Sequence, residues 1–333
     1  MTFNLITDVP GLAVGHATDL ALGSGVTAIL FDDAAAVSVA VLGGAPGGRD
    51  TGMLEPEMGI GGINAVVLSG GSAYGLDAAG GVQAALREAG RGYSLRGALV
   101  PLASCAILFD LANGGNKAWG RFSPYCELGY AAATAAAAGP FALGTVGAGT
   151  GATTATVKGG LGSASCVTRG GHTVGAIAAV NAVGAPTIGD GPWFWAAPFE
   201  QRAEFGGLGW PAEMPAAALM PRLKGGPGTG TTIGLVATDA ALTKAQAKRL
   251  AIMANDGLAR AILPAHAPMD GDTVFAASTG RRPLDSPDHY DLTDIGMAAA
   301  MALARAVARG VYEATALPFP GALASWRERF GES

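Results

Sequence analysis

The stretch GGPGTGTTIGLVATDAAL, residues 225–242, decides how the rest of the chain is read. A Gly/Pro-rich loop over 225–230 runs into Thr231 and Thr232, and then into a largely apolar run over 233–238. A flexible loop that meets a strand at a hydroxyl residue is what an N-terminal nucleophile needs. In such enzymes self-cleavage before a Ser, Thr or Cys frees an amine, which becomes the base for the adjacent hydroxyl. Any Gly loop before a strand shares this pattern, so the remaining segments have to decide.

The chain has 333 residues, half of them apolar, 14% charged and 53 of them Gly. That length gives ample core for one large domain or two ordinary ones. A mean hydropathy of +0.34 favours extensive burial, including surface buried in an oligomer. No uninterrupted apolar stretch reaches the ~20 residues of a membrane span. The start, MTFNLITDVPG, has neither a basic n-region nor a long h-region, so no secretory leader and no membrane partner are expected. Cys105, Cys126 and Cys166 are odd in number and lack CxxC spacing. They argue against a disulfide scaffold or zinc knuckle and suit a reducing cytoplasm. A net charge of −5 provides no electrostatic footprint for nucleic acid.

Strands are expected over 6–14 and 28–31 around a turn at 19–25, then over 36–42, 63–68, 174–180, 233–238 and 273–278. The run over 63–68 is broken only by Asn64, as in a strand buried on both faces. Helices are expected over 76–89, where Leu76, Ala79, Val82 and Leu86 share a stripe, and over 131–138, about 242–262 and 291–313. In the last of these Asp291 and Asp294 open the helix and Arg305 and Arg309 lie towards its end, as the macrodipole favours. Residues 189–224, rich in Pro, Trp and Gly, read as a long surface excursion. The pattern is mixed α/β, with buried strands flanked by helices.

Several motifs offer chemistry. Strand–GGSAYG–helix at 70–75 has the outline of a nucleophile elbow, but Tyr74 stands where that strained turn needs its second Gly. A tight Gly turn that packs a helix onto its strand, with Ser72 and Tyr74 near a pocket, is the favoured reading. GAGTGA at 147–152 lacks the sixth Gly of a dinucleotide fingerprint, and Thr231 stands where a phosphate loop needs Lys. Asp270 and Asp272 are separated by one Gly just before a strand, and read either as a solvated turn or as a pair that orients a catalytic group. His266 beside them, with His16, His172 and His289 scattered, makes no metal-ligand spacing. Lys158 is either a loop lysine or an oxyanion-stabilising cation, and Asn181 is either a turn former or an oxyanion amide donor.

Taken together, ITDVPGLAVGHATD, GGAPGGRDT, LSGGSAYGLDAAGGV, KGGLGSAS, TTIGLVATDA, AKRLAIMANDGLARAI and MDGDTVFA resemble the P1 peptidase family. This DmpA-like group holds L-aminopeptidase/D-amidase-esterases, β-peptidyl aminopeptidases and 6-aminohexanoate-oligomer (nylon-oligomer) hydrolases. The resemblance runs from residue 6 to at least 276. It implies one structural domain over 1–333, a four-layer αββα sandwich of the N-terminal-nucleophile type. It further implies cleavage between Gly230 and Thr231 into an α-chain, 1–230, and a β-chain, 231–333, that remain associated. Thr231 is then the nucleophile, with Thr232 the alternative if the register is off by one. Asn181 matches the oxyanion Asn, Lys158 the Lys of the nylon-oligomer branch, and Asp270 and Asp272 that branch's paired Asp. On this mapping the two carboxylates hold Lys158 and the new N-terminal ammonium, and neither a metal nor an organic cofactor is needed. Gly230 departs from the Asn usual before the cut in nylon-oligomer hydrolases. Gly is also used in the family, so this departure leaves the substrate branch open; the resemblance implies an aminopeptidase or amidase acting on short peptides or amino-acid amides. A nylon-oligomer endohydrolase, or a non-catalytic assembly protein of the same fold, stands as the alternative. A homo-oligomer, a tetramer first, is the expected assembly.

Overall fold

The computed structural model describes residues 2–220, 222–225, 230–285 and 290–331. The Gly/Pro loop at 226–229 and His289, both singled out from the sequence, lie outside the described residues. Among those described, the strands are β1 (Leu12–Asp19), β2 (Ser24–Val41), β3 (Gly48–Arg49), β4 (Ile63–Ser69), β5 (Tyr93–Leu95), β6 (Ala98–Val100), β7 (Ala103–Ile107), β8 (Gly160–Val167), β9 (Thr173–Asn181), β10 (Thr231–Ala240) and β11 (Thr273–Arg282). The α-helices are α1 (Ala78–Glu88), α2 (Tyr125–Thr134), α3 (Lys244–Ala259), α4 (Tyr290–Tyr312) and α5 (Trp326–Phe330).

Strand β2 organises the molecule. Its first half pairs with β1 and β4, and its second half, from Ala36 to Val41, pairs with β11. The two runs that the sequence suggests as separate strands are one strand turning a corner. Asp32, Asp33 and Ala34 are exposed at the bend, where the β4 register shifts. The hydrogen-bonded order is β3-β7-β4-β2-β11-β10-β9-β8, so β2 belongs to two sheets that face one another.

Side-chain alternation along each strand separates three apolar layers. Ile29, Val66, Leu68, Ile177, Ala179, Ile233, Leu235 and Phe275 fill the space between the sheets. Val174, Val180, Val236 and Val274 point outward against α3 and α4. Val26, Ala65, Val67 and Cys105 point outward against α1 and α2. This is the four-layer αββα sandwich. Helix α4 is long and apolar enough by length and composition to cross a membrane, but 78% of its most apolar window is buried, as befits a core helix.

The layers approach closely through small residues. A Cβ on Gly81 of α1 would lie 1.8 Å from the Cys126 carbonyl of α2, and one on Gly162 of β8 would lie 1.9 Å from the Ala306 carbonyl of α4. Two sequence expectations shift, and one helix was not expected. Residues 6–8 form a 3-10 turn and the strand begins at Leu12. Helix α2 starts at Tyr125 and stops before Ala137, because that residue exchanges backbone hydrogen bonds with Val14 of β1. The short α5 has no apolar repeat to announce it; a Ser325–Glu328 capping box and buried Trp326 hold it.

Replacing Gly162 by Ala should drive a methyl into the α4 backbone and cost ~1–3 kcal/mol or more. A thermal melt should show a clear loss; an unchanged melting temperature would contradict the packing described.

Candidate active site

Strands β9 and β10 are antiparallel, with Thr231 directly opposite Asn181 and Ile233 opposite Ala179. Directly opposed residues place their side chains on the same face, with Cβ atoms about 4.5–5.5 Å apart. Thr231 and Asn181 share the parity of Ile233 and Ile177, so both face the space between the sheets at its open end. Thr232 has the opposite parity, on the helix side. Its hydroxyl is buried without a partner among the described residues, and its N–H donates to Asp272 Oδ1 at 2.8 Å.

Thr231 is 4% exposed, and its hydroxyl donates to the carbonyl oxygen of Gly230, the residue before it. Gly271 shows why the acidic pair is split by glycine: a Cβ there would lie 2.7 Å from Thr231 Oγ1 and 2.8 Å from the Ala45 carbonyl. Asp270 and Asp272 flank this contact, both buried. Asp272 Oδ2 accepts the backbone N–H of His266 at 3.0 Å and lies 2.9 Å from the His266 Nδ1. Burial pulls the imidazole pKa down, but the hydrogen bond and charge of Asp272 outweigh it and raise it. Asp270 Oδ2 accepts the Val183 N–H at 3.4 Å, while its Oδ1 is buried without a partner among the described residues. That orphan oxygen faces Gly230, where a Cβ would lie 2.8 Å away. Burial, then the like charge of Asp272, pushes the Asp270 pKa up to about 7.

Asn181 is held on three sides. Its Oδ1 accepts the Thr153 N–H at 3.0 Å and the Lys224 ammonium at 2.8 Å, and its Nδ2 donates to the Phe109 carbonyl at 3.0 Å. Phe109, Thr153 and Lys224 all line one cavity of about 470 Å³, together with Asp110, Lys158 and the C-terminal segment at Leu317, Pro320 and Leu323. Lys158 is 1% exposed and donates to the carbonyls of Gly149 at 3.0 Å and Gly159 at 2.8 Å. Burial lowers its pKa from 10.5 to about 7, against the pull of Asp110 and with the push of Lys224. Asp110 accepts Ser24 Oγ at 2.6 Å and the Gly71 N–H at 2.8 Å, and burial raises its pKa despite both bonds. Tyr125 completes the chain by donating to Ser24 Oγ at 2.9 Å.

The structure thus gathers Thr231, Asn181, Asp270 and Asp272 at one end of the sheets, with Lys158 in the adjoining cavity. The expected partners of the carboxylates are rearranged: Asp110 attracts Lys158, whereas Asp270 attracts Lys224. Ser72 and Tyr74 do not line the cavity. Tyr74 is 53% exposed and meets Trp119 edge-on, while Gly71 beside them turns its N–H to Asp110. A side chain at Gly71 would strike Tyr125, which supports the tight-turn reading of GGSAYG. Asp110, Lys224 and the His266–Asp272 contact are absent from the sequence-based site. Asp110 had a legible signal, an acid just past the apolar run 103–108 and before an Asn/Gly loop. Lys224, at the end of an aperiodic excursion, had none.

Two sheets packed face to face between helix pairs form a four-layer αββα sandwich, with Thr231 buried at the start of an inner strand. The model of peptidase family S58 matches residues 4–322, and the chain belongs to that family of peptide- and amide-bond hydrolases. It is 42% identical to an uncharacterized aminopeptidase of Mycobacterium tuberculosis (strain ATCC 25618 / H37Rv), over 97% of this chain and 100% of that protein. It is 28% identical to the 6-aminohexanoate-oligomer endohydrolase of Agromyces sp. (strain KY5R), over 82% of this chain and 74% of that protein. The L-aminopeptidase D-Ala-esterase/amidase of Ochrobactrum anthropi superposes with a TM-score of 0.73 at 24% identity, over 98% of this chain and 92% of that one. A Burkholderia sp. β-aminopeptidase gives 0.71 at 24% identity, with the same coverage.

Lys158 also sets a pH dependence of stability. Its folded-state pKa near 7 lies below the ordinary 10.5, so between these values the unfolded chain binds the extra proton and stability rises with pH. Lys224 adds to the same slope, whereas the raised Asp270 acts only below about pH 7. Lys158→Met should reduce the rise between pH 7 and 9 by up to ~1.4 kcal/mol per pH unit, read by urea unfolding. An unaltered slope would place the charge of Lys158 in water.

Proposed function

We propose that the chain is a self-processing N-terminal-threonine amide hydrolase, an aminopeptidase or amidase acting on short peptides or amino-acid amides. The observation that carries this reading is the pairing of Thr231 with Asn181 at the strand end, with the Thr231 hydroxyl on the Gly230 carbonyl. In the precursor Thr231 Oγ1 attacks that carbonyl carbon, the C–N bond breaks, and the acyl group moves from nitrogen to oxygen. Water then hydrolyses the ester, which frees the Gly230 carboxylate and the Thr231 amine. Asp270 Oδ1, buried without a partner among the described residues and facing Gly230, accepts a hydrogen from the new amine in this reading.

In the mature enzyme the amine, with an ordinary pKa of about 7.7–8.0, takes the hydroxyl proton directly or through water. Thr231 then attacks a substrate amide. Asn181 and Lys158 stabilise the developing oxyanion, the leaving amine departs with a proton, and water releases the acyl group. Asp272 ties the start of β10 to His266 through the Thr232 N–H, which holds the nucleophile in register. Strand parity favours Thr231 over Thr232, whose hydroxyl lies on the helix side.

A second reading, hydrolysis of ω-amino-acid oligomers by the same mechanism, is favoured by the likeness to the Agromyces endohydrolase and by the paired Asp270 and Asp272. A substrate panel with and without a free α-amine separates the two. Thr231→Ala should leave one uncleaved chain with hydrolysis lost, whereas Thr232→Val should still cleave and turn over. Cleavage and turnover by Thr231→Ala would sink the assignment.

A further inference from the structure

The cavity places beside Asn181 a second lysine that the mechanism above leaves unused. Lys224 lies on the α-chain side of the scissile bond. Its backbone N–H donates to the Val183 carbonyl at 2.8 Å, so it is fixed just beyond the end of β9. Its ammonium donates to Thr153 O at 3.0 Å and to Asn181 Oδ1 at 2.8 Å. The Asn181 carbonyl oxygen therefore receives two donors, one of them cationic, and the Nδ2 group spends one N–H on Phe109. An amide NH2 has two hydrogens, so one remains. A charged donor on the amide oxygen fixes which way the amide points and polarises it, making the remaining N–H the stronger donor.

We infer that Lys224 is a positioning residue for the reaction: it holds the Asn181 amide with its oxygen turned away and one N–H free for the oxyanion. The inference rests on the proposed roles of Thr231 and Asn181. Asp270 and Asp110 attract the Lys224 ammonium and help keep it charged, against the burial that lowers its pKa to about 7. Because Val183 holds the backbone of Lys224, the contact is built to survive cleavage of the chain seven residues downstream.

The chain is its own first substrate, and we take Asn181 to serve the oxyanion formed on the Gly230 carbonyl as it serves that of a substrate amide. The first-order rate of self-cleavage, followed by intact mass on freshly purified full-length protein, is therefore the readout. Four variants are compared with wild type: Lys224→Met, Lys224→Arg, Asn181→Ala and the Lys224→Met/Asn181→Ala double variant. Lys224→Met should slow cleavage about tenfold or more, within the ~10²–10³-fold carried by an oxyanion donor. Lys224→Arg, which keeps the charge, should recover part of that loss. The double variant should be no slower than Asn181→Ala alone, because Lys224 acts through Asn181. A wild-type rate in Lys224→Met overturns the inference, and so does a double variant whose losses multiply. Equal losses in Lys224→Met and Lys224→Arg with lowered melting temperatures would make Lys224 a packing residue and overturn it as well. A wild type that never cleaves, or an Asn181→Ala variant that cleaves at the wild-type rate, removes instead the reading on which the inference rests.

Discussion

The antiparallel pairing of Thr231 with Asn181 is the constraint on which the site depends. Because the side-chain period of a strand is two, a slip of one residue would send Thr231 to the helix layer and bring Thr232 to the face of Asn181. Two apolar layers hold the register, since every residue of β10 is buried and each face has its own core. Asp272 adds a polar pin by taking the Thr232 N–H, and Gly271 leaves room for the Thr231 hydroxyl. The loop at 43–45 closes the arrangement by hydrogen bonding to the backbone of Asp270 and Asp272.

Around that pair the protein buries charges in an alternating arrangement. Asp110 attracts Lys158, and Asp270 attracts Lys224. Burial disfavours the charged form of each group, which brings both lysines down and Asp270 up to about 7. Groups so poised can change protonation near neutrality, as proton transfer and oxyanion stabilisation require. The same burial costs folding free energy, and the surrounding apolar layers offset it.

Much of the architecture was legible in the sequence, because continuous apolar runs mark strands buried on both faces and Leu76, Ala79, Val82 and Leu86 mark a helix. The corner in β2 was not, since its exposed Asp32 and Asp33 look like the end of one strand rather than the hinge between two sheets. Helix α2 was misplaced because alanine is compatible both with helix and with the bridge that Ala137 makes to β1. Of the site, Thr231, Asn181, Lys158, Asp270 and Asp272 were readable as motif positions. The partner assignments were not, because which carboxylate meets which lysine depends on loops distant in sequence. Asp110 and Lys224, 114 residues apart, meet in one cavity only after the sheets have packed.

The central claim is that the chain cuts itself at one bond and thereby makes its own base and nucleophile. Intact mass combined with N-terminal sequencing of the purified wild-type protein tests it most directly. The account predicts two associated polypeptides, 1–230 and 231–333, with the second beginning Thr-Thr-Ile-Gly. A single full-length chain that hydrolyses amides would contradict it, as would a second polypeptide that begins at Thr232 or elsewhere.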